Sequence, residues 1–534
     1  MPPFSCFVRP IAAAGLLALA AGCGGDDDPV VVDACQALSE TPLGPAALTS
    51  ENLPAGTRVG QVETVAHCRV AGMLDSRTGI DGKPYATGFE LRLPTAWNGR
   101  FLYQGGGGND GSVRPALGTQ DTLEPALNQG YAVVSTDAGH QGTDASFGAD
   151  PQARLDHAYQ SHDRVARAAK TLISAYYERD ADHSYFIGCS GGGRQGMMFT
   201  QRFPEYFDGV IAIAPAMSVA KGATIAAAWS TQVLLDIAPL DAAGRPILSQ
   251  ALSDADLGLL RQSILDTCDE HDGLADGLVS APGLCHYDPG VLQCQAGQAT
   301  DCLEAGKVEA LRQVAAPPRD SQGQALYTDW PWDPGIGHPA NDWRAWRLGT
   351  SPTADANARH ITLMQDALGW EFFTPPQPGF QLADFDFDRD PARMEAFATV
   401  YNADQDARLD AFKGHGGKLL LAHGMADPIF SPSESIAYFE RLQAAHPADA
   451  DSFARLYLIP GMAHCAGGAA TDAWDGLGTL VRWVEQQQAP QEITAYGTAV
   501  YPDRSRPLCP YPSYPRYDGQ GDPEQAASFT CDAG

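Results

Sequence analysis

The sequence predicts an α/β fold, in which a mostly parallel sheet is covered by helices and interrupted by a large insertion. Three observations lead to this prediction: short apolar runs rich in β-branched residues, helical patterns between them, and a long central stretch without this alternation. The alternation is lost between Ala216 and about Ala407, where we place the insertion. Strands are expected at Phe89–Leu93, Arg100–Gln104, Tyr131–Thr136, Ser184–Ile187, Gly209–Ala214, Lys418–Ala422 and Arg455–Ile459.

Length and composition narrow the class of protein. A chain of 534 residues is too long for one hydrophobic core, so two structural units are expected. Hydrophobic residues make up 44% of the chain and charged residues 19%, which is typical of a globular enzyme. The net charge of -30 argues against binding to nucleic acid or to an anionic membrane, because attraction to phosphate needs a basic surface.

The N-terminus has the features of an export signal. Arg9 precedes the apolar run Ile11–Ala21, which has the length of a signal-peptide core and is too short to span a bilayer. The residues before Cys23 resemble a lipoprotein processing site, at which Cys23 would carry a lipid; simple cleavage is the alternative. We expect a secreted, periplasmic or outer-membrane lipoprotein, with a signal peptide over 1–22 and a flexible spacer over 23–34.

The cysteines predict disulfides. Of the 12 cysteines, Cys6 and Cys23 belong to the leader, which leaves an even number in an oxidising compartment. Spacing alone does not fix connectivity, so the pairs are hypotheses. Local spacing suggests Cys35 with Cys68, Cys268 with Cys285, Cys294 with Cys302, and Cys509 with Cys531, which leaves Cys189 and Cys465.

Gly188–Gly192 matches the pattern G-x-S-x-G, with Ser190 at its centre. In a nucleophile elbow a sharp turn from strand to helix lifts the serine hydroxyl above the sheet, and small glycines permit the turn. An apolar strand pattern precedes the motif and a helical pattern follows it, whereas an ordinary turn would need neither. The motif therefore predicts Ser190 as a nucleophile on an α/β-hydrolase sheet.

A serine nucleophile needs a base and an orienting acid, which follow in the chain order Ser, Asp, His in this fold. Asp427 and His464 each follow an expected strand, at the edge where α/β sheets carry their sites. A turn-forming aspartate and a surface histidine are the alternatives. His423 and His140 are rival bases, but neither follows the acid in the chain.

Cys189 directly precedes the expected nucleophile, and Cys465 directly follows the expected base. A disulfide requires Cβ atoms about 3.5–4.5 Å apart, so a bridge here would join Ser190 to His464. Two unpaired buried thiols are the alternative. The even number of cysteines favours the bridge.

Gly191 and Gly108 are the expected donors of an oxyanion hole. One backbone N–H should come from the residue after the nucleophile, and the second from the loop after an earlier strand. Gly105–Gly108 follows such a strand, and glycine lets a backbone approach closely. A phosphate-binding loop is the alternative, but no Lys-Ser/Thr pair follows.

An acidic, glycine-containing stretch runs from Cys268 to Leu278. Ca²⁺ prefers about six to eight oxygen ligands, and this stretch could supply several. An exposed acidic loop is the alternative. The proposed ligands are the carboxylates of Asp269, Asp272 and Asp276 and the carbonyls of Leu274 and Leu278.

With these motifs, the mature chain resembles the tannase and feruloyl esterase family. The resemblance rests on Cys189-Ser190, on His464-Cys465 and on the acidic loop Asp269–Leu278. It implies a disulfide between nucleophile and base and a lid with a structural calcium site. The implied organisation is a hydrolase domain over 35–216 and 407–534 that is interrupted by a lid domain over 217–406.

Within the family, the chain is most similar to hydrolases of terephthalate monoesters. This resemblance implies that Arg359 holds the free carboxylate of the substrate, while Trp346 and Phe430 pack against its aromatic ring. Leu363 and Met364 stand where those hydrolases carry Phe and Ser, so one ring contact is expected to differ. The similar segments are Tyr185–Ser190, Asp254–Leu257 and Arg506–Pro512.

The expected function is that of a secreted serine esterase. It would hydrolyse small aromatic carboxylic esters through an acyl-enzyme, with mono(2-hydroxyethyl) terephthalate giving terephthalate and ethylene glycol. A feruloyl or tannase-type esterase acting on plant phenolics is the enzymatic alternative. A catalytically dead, lipid-anchored binding protein is the other alternative, against which the complete Ser, Asp and His set argues. The expected partner is the ester, and a membrane is contacted only through a lipid at Cys23.

Overall fold

The computed structural model describes residues 33–533 except Pro45, Asp121 and Leu123. The expected signal peptide, most of the spacer and Cys23 lie outside the described residues. Within the described part of the chain, no helix has both the length and the apolar character needed to cross a bilayer.

A nine-stranded sheet forms the centre of the molecule, in the spatial order β1-β2-β3-β5-β4-β6-β7-β8-β9. The six strands from β4 to β9 pair in parallel, and the pairs β1-β2, β2-β3 and β3-β5 are antiparallel. This is the mixed, largely parallel sheet expected of an α/β hydrolase. The strands are β1 Ala46–Leu53, β2 His67–Thr78, β3 Pro84–Pro94, β4 Arg100–Gln104, β5 Ala132–Thr136, β6 His183–Cys189, β7 Gly209–Ile213, β8 Lys418–Gly424 and β9 Ala454–Ile459.

The expected strands correspond to β3 through β9, with ends shifted by a few residues. The sequence analysis missed β1 and β2. In β1, half-buried and exposed residues alternate, and the second half of β2 alternates in the same way. A strand with one solvent-exposed face has no continuous apolar run, and apolar runs were the pattern from which the other strands were predicted.

Helices and short strands complete the described chain. The α-helices are Ala34–Ala37, Pro151–Leu155, Ser161–Tyr177, Gly191–Arg202, Ala226–Ile237, Asp254–Cys268, Ala305–Ala315, Trp343–Arg347, Gln365–Ala367, Pro391–Tyr401, Asp410–Gly414, Pro432–Ala445 and Gly476–Gln486. Turns of π-helix span Asp156–Gln160, Lys221–Ile225, His360–Met364 and Leu368–Phe372. The 3₁₀ turns are Leu38–Glu40, Ala145–Ala149, Leu248–Gln250, Asp269–Asp272, Pro282–Leu284, Pro289–Leu292, Pro334–Gly337, Leu382–Asp384, Ala450–Ser452 and Ala526–Ser528. Small sheets pair Thr57–Val59 with Val62–Thr64, Thr471–Trp474 with Ile493–Gly497 and Ser505–Leu508, and Tyr514–Tyr517 with Phe529–Asp532.

Both faces of the central sheet are buried, as a parallel sheet requires. One apolar cluster joins the sheet to the helices Ser161–Tyr177, Gly191–Arg202 and Pro432–Ala445. A second cluster joins the opposite face to Gly476–Gln486. The carboxyl ends of the parallel strands therefore remain as the open edge at which a site can form.

The chain between β7 and β8 contains helices and turns but no strand of a sheet, and all of its residues are described. Part of this segment has its own apolar core, which includes Leu234, Leu260 and Leu311. Another part packs against residues of the hydrolase sheet's loops, such as Ala145 and Phe430. The segment thus lies against loops that follow the sheet strands.

Five disulfides are present in the described part of the chain, and they are the pairs that the sequence analysis proposed. Four of them close loops of 33 residues or fewer, whereas the fifth joins cysteines 276 positions apart. Disulfides in this number are typical of proteins from an oxidising compartment, and we conclude that the protein is extracytoplasmic.

Candidate active site

Ser190 lies in a strained turn between β6 and the helix Gly191–Arg202. Its φ of 62° and ψ of -123° are values that residues with a side chain rarely adopt. Two backbone hydrogen bonds hold it: its N–H donates to the carbonyl of Ile213 (3.0 Å), and its carbonyl accepts from the N–H of Ala216 (3.1 Å). The end of β7 thus fixes the turn that raises the serine hydroxyl.

Glycines around Ser190 allow three backbone segments to touch. A Cβ atom on Gly188 would lie 2.6 Å from the carbonyl carbon of Gly192, and one on Gly192 would lie 2.7 Å from the carbonyl oxygen of Gly106. Such contacts are too short for any side chain, so only glycine fits at these positions. The strand, the helix and the Gly105–Gly108 loop are therefore packed backbone to backbone.

Asp427 and His464 form a hydrogen-bonded pair at the ends of β8 and β9. Nδ1 of His464 donates to Oδ2 of Asp427 at 2.6 Å, and Oδ1 of Asp427 accepts from the N–H groups of Ile429 and Phe430. Burial alone would raise the pKa of Asp427, but the charges and hydrogen bonds of His464 and His423 lower it below its ordinary value. An ionised Asp427 thus accepts the Nδ1–H of His464 and orients the imidazole ring.

His423 supports Asp427 from a second direction. Its Nε2 lies 3.3 Å from Oδ2 of Asp427 and 3.1 Å from the carbonyl oxygen of Phe430, and its Nδ1 lies 2.7 Å from Oγ of Ser435. Both neighbours of Nε2 are acceptors, so Nε2 carries the proton and donates. The sequence analysis treated His423 only as a rival base; its position four residues before Asp427 is the signal that could have revealed this role.

The disulfide between Cys189 and Cys465 connects the two halves of the site. The Cα atoms of the two cysteines are 5.8 Å apart, although 276 positions separate them in the sequence. Their neighbours Ser190 and His464 line the same cavity of about 770 Å³. The structure therefore confirms the bridge expected from the sequence.

Apolar residues form much of the wall beside His464. The ring centroids of Trp346 and Phe430 lie 6.4 and 5.7 Å from that of His464, and both residues line the cavity. Leu363 and Met364 line it as well. An aromatic group of a ligand can pack against this wall.

Four glycines form the loop that faces Ser190, and their N–H groups are used in different ways. Those of Gly105, Gly106 and Gly107 donate to the Ile187 carbonyl, the Gln195 side chain and the Asp110 carboxylate, respectively. The N–H groups of Gly108 and Gly191 have no hydrogen-bond partner among the described residues. A Cβ on Gly191 would lie 3.4 Å from the carbonyl oxygen of Gly108, so these two free donors are close neighbours.

Arg359 does not line the cavity. Its Nη1 donates to Oδ2 of Asp342 at 3.0 Å, its guanidinium lies 5.4 Å from the ring centroid of Trp346, and its side chain is 52% exposed. Nε1 of Trp346 donates to the same carboxylate oxygen at 2.8 Å. Arg359 thus lies beside the Trp346 ring and is paired with Asp342 outside the cavity.

In the acidic loop, backbone N–H groups donate hydrogen bonds to the carboxylates. Asp269 accepts from the N–H groups of Asp276 and Gly277, and Asp272 accepts from that of Leu274. Asp276 accepts from the N–H of Leu278. All of the expected ligand residues are therefore brought into one compact loop.

The charges in this loop are only partly compensated. Burial, with the neighbouring charges of Asp276 and Asp269, raises the pKa of Asp272 to about 7. Arg506 and Arg504 form ion pairs with Asp276. Among the described residues, the three carboxylates do not form a cluster whose ligand oxygens all lie within 4.8 Å of one another.

A protein-family model matches most of the chain. The model of the family "Tannase and feruloyl esterase" matches residues 68–532. Mono(2-hydroxyethyl) terephthalate hydrolase from Piscinibacter sakaiensis is 43% identical, over 88% of this chain and 85% of that protein. A probable feruloyl esterase from Arthroderma benhamiae is 30% identical, over 88% of this chain and 86% of that protein.

Solved structures are similar over nearly the whole chain. The crystal structure of feruloyl esterase B from Aspergillus oryzae gives a TM-score of 0.79 at 26% identity, and covers 93% of this chain and 99% of its own. Tannin acyl hydrolase from Aspergillus niger gives a TM-score of 0.70 at 22% identity, and covers 91% of this chain and 90% of its own. The similarity to tannin acyl hydrolase concerns the fold alone.

The bridge between Cys189 and Cys465 provides a test of the site. We expect the double variant Cys189→Ala/Cys465→Ala to lower kcat/KM for a chromogenic ester by about tenfold or more, because small displacements of a nucleophile from its base are costly. The control variant Cys294→Ala/Cys302→Ala removes a bridge whose cysteines do not line the cavity, and it should keep most of the activity. Equal activity of the two variants would contradict a role in alignment.

Proposed function

Because this chain belongs to the tannase and feruloyl esterase family, we propose that it is a serine esterase of small aromatic carboxylic esters, which acts through an acyl-enzyme. Its relatives are carboxylic ester hydrolases. The observation that carries the proposal is the hydrogen bond from His464 to the buried Asp427, beside a cavity that the strained Ser190 also lines.

In the first half of the reaction, Oγ of Ser190 attacks the carbonyl carbon of the ester. Nε2 of His464 takes the hydroxyl proton and passes it to the alcohol as the ester C–O bond breaks. Asp427 holds the Nδ1–H of His464 and stabilises the imidazolium. The alcohol leaves, and the acid remains bound to Ser190 as an ester.

In the second half, a water molecule gives its proton to His464 and attacks the acyl-enzyme. The Ser190 oxygen leaves with that proton, and the free acid is released. In both halves the carbonyl oxygen becomes negatively charged. The unpartnered N–H groups of Gly108 and Gly191 are suited to stabilise it, because fixed backbone donors need no reorganisation.

The proposed substrate is a terephthalate monoester, mono(2-hydroxyethyl) terephthalate. The 43% identity to the hydrolase of this ester supports the choice. In this proposal the aromatic ring packs against Trp346 and Phe430, and Arg359 leaves Asp342 to bind the free carboxylate.

An ester of a plant phenolic acid is the second candidate substrate. Feruloyl esterases are among the relatives and among the similar solved structures. Leu363 and Met364 in the cavity wall depart from the pattern of terephthalate monoester hydrolases, which also favours this candidate. A binding protein without catalysis is less well supported, since Ser190, His464 and Asp427 are all in place.

We further propose that residues 217–406 act as a lid on the hydrolase sheet of 35–216 and 407–534. Trp346, Leu363 and Met364 belong to this segment and line the cavity above Ser190. Export by a signal peptide over 1–22 and lipid attachment at Cys23 remain part of the proposal.

A calcium ion is the proposed occupant of the acidic loop. Asp269, Asp272 and Asp276 would hold it together with the carbonyls of Leu274 and Leu278, since hard oxygen donors suit this ion. Burial first, and the neighbouring charges of Asp276 and Asp269 next, raise the pKa of Asp272, and a bound cation would favour its ionised form. None of these residues lines the cavity, so the ion would stabilise the lid and take no part in the chemistry.

Ser190→Ala tests the catalytic proposal. We expect ester turnover to fall by several orders of magnitude with an unchanged melting temperature, because the change removes the nucleophile and little packing. Ser39→Ala, which alters a serine outside the cavity, is the matched control and should retain full turnover. More than about a tenth of the activity in Ser190→Ala would rule out the assignment.

Arg359→Ala tests the choice of substrate. A hydrogen bond to a charged group contributes about 1.5–3 kcal/mol, so turnover of a terephthalate monoester should fall about ten- to a hundredfold more than that of methyl ferulate. Arg389→Ala removes another exposed arginine of the lid and should affect both esters equally. Equal losses in Arg359→Ala would mean that this residue only supports Trp346.

Removal of calcium tests the metal proposal. Chelation should lower the melting temperature of the wild type, because an ion bound only by the native state stabilises it by mass action. Asp272→Asn should melt at a lower temperature than the calcium-loaded wild type and respond less to chelation. Metal analysis that finds no calcium in extensively dialysed wild type would contradict the site.

A further inference from the structure

Part of the inserted segment contacts the two loops that carry Asp427 and His464, on a side away from the cavity. We call residues 327–341 the brace segment; all of them are described, and none lines the cavity. The brace segment contains the 3₁₀ turn Pro334–Gly337 but no strand and no α-helix. The mechanism proposed above gives it no role.

Two side chains of the brace segment donate hydrogen bonds to the loop of Asp427, which follows β8. Nε1 of Trp330 donates to the backbone carbonyl of Asp427 itself at 3.1 Å. Nδ2 of Asn341 donates to the carbonyl of Ala426 at 3.2 Å, while its Oδ1 accepts from the N–H of Trp343. Two consecutive carbonyls of this loop are therefore held by the inserted segment.

A third side chain reaches the loop of His464, which follows β9. Oδ2 of Asp333 accepts from the N–H of Gly461, three residues before His464, at 3.1 Å. Oδ1 of Asp333 accepts from the N–H of Gly335 at 2.7 Å and so caps the 3₁₀ turn of the brace segment. One carboxylate thus joins this turn to the loop of His464.

Gly335 brings the backbone of the brace segment against both loops. A Cβ atom at this position would lie 2.5 Å from Cβ of Ala426 and 3.1 Å from the carbonyl oxygen of Gly461. The first distance is too short for any side chain, so only glycine permits this approach. The loops also contact each other, because the N–H of Ala426 donates to the carbonyl of Met462 at 3.1 Å. The brace segment and the two loops therefore form a closed set of three mutual contacts.

The other side of the brace segment is fixed to the core of the inserted segment. The backbone N–H of Trp330 donates to the carbonyl of Ala315 at 2.8 Å. A Cβ atom on Gly337 would lie 2.1 Å from the carbonyl oxygen of Leu257, which belongs to the helix Asp254–Cys268. The brace segment thus has a firm support from which it can hold the loops.

The N-terminal end of the brace segment is attached beyond Asp427. Oη of Tyr327 donates to Oε2 of Glu434 at 2.9 Å and accepts from the N–H of Ser431 at 3.2 Å. Oγ of Ser431 donates to the carbonyl of Asp329. The loop of Asp427 is therefore held on both sides of the carboxylate that orients His464.

Asp333 is a costly residue for a purely structural contact. It is 1% exposed, and its hydrogen-bond partners within the described chain are two backbone N–H groups. Burial raises the pKa of Asp333 to about 6, although the two hydrogen bonds act in the opposite direction. A buried carboxylate without an ion pair costs free energy, and a neutral cap such as asparagine would suffice for the turn alone.

We propose that the brace segment is a positioning element of the active site, in which Asp333, Trp330 and Asn341 hold the loops of Asp427 and His464 at the separation that their hydrogen bond requires. The three are positioning residues, since none of them touches the cavity. This inference rests on the proposed esterase function, and it gives part of the inserted segment a role other than covering the cavity.

Asp333→Asn is the first test. Asparagine can still cap the turn, but its amide group cannot accept from the N–H of Gly461, so the contact with the loop of His464 is lost. We expect kcat for a chromogenic ester to fall about tenfold, because small displacements of a catalytic pair are costly. KM should change little, since the cavity is untouched. Each variant is assayed well below its own melting temperature, so that unfolding does not contribute.

Asp288→Asn is the matched control. Asp288 also precedes Pro-Gly in the inserted segment and caps a 3₁₀ turn, but its carboxylate pairs with Arg312 and not with a loop of the active site. This variant should keep the wild-type kcat. Equal losses of kcat in Asp288→Asn and Asp333→Asn would overturn the proposal.

Trp330→Phe tests the loop of Asp427 without changing a charge. It removes the indole N–H and keeps an aromatic ring, so kcat should fall about two- to tenfold, the usual effect of one neutral hydrogen bond. Trp229→Phe removes another indole N–H of the inserted segment, which donates to the carbonyl of Gln313, and should leave kcat unchanged. Full kcat in both Asp333→Asn and Trp330→Phe would overturn the role of the brace segment and leave the esterase proposal intact.

A double-mutant cycle separates positioning from a general effect on the fold. In an Asp427→Asn background the pair is already broken, so adding Asp333→Asn should reduce the residual turnover less than about twofold. A further tenfold loss there would mean that Asp333 does not act through the pair, and the proposal would be wrong. A wild type that hydrolyses no ester would overturn the esterase proposal, and this inference with it.

Discussion

The close packing of glycine backbones around Ser190 is the constraint on which the site depends. Gly188, Gly192 and Gly106 touch at distances that no side chain permits, so strand, helix and facing loop share one rigid arrangement. The strain at Ser190 persists because hydrogen bonds from the end of β7 hold the turn on both sides. The serine hydroxyl and the free N–H groups of Gly108 and Gly191 are fixed by the same contacts.

His464, the proposed base, comes from the other half of the chain, because the segment between β7 and β8 separates the chain into two halves. β8 and β9 carry Asp427 and His464 to the same edge of the sheet, and the disulfide from Cys189 to Cys465 joins the halves beside Ser190 and His464. Asp427 is buried, so its hydrogen bonds to both His464 and His423 act where little water competes.

Local patterns were enough to predict much of this arrangement. The parallel strands are apolar runs, the elbow is a short motif, and the chain order of Asp427 and His464 follows from the fold. The antiparallel strands β1 and β2 were missed because their exposed residues interrupt the apolar pattern. The contact of Arg359 with Asp342 spans 17 positions, and the contacts of His157 with Glu371 and Tyr401 span 214 and 244. No local sequence pattern encodes contacts of either kind.

The position of the inserted segment also has a consequence for how the chain acquires its structure. β7 ends at Ile213, but its parallel neighbour β8 begins at Lys418. The whole insertion must therefore be synthesised before β8 can pair with β7. Until then β7 is an uncovered, entirely apolar edge of the kind that pairs with other chains and aggregates. Because this pairing spans so many residues, assembly of the second half is expected to be the slow step of folding.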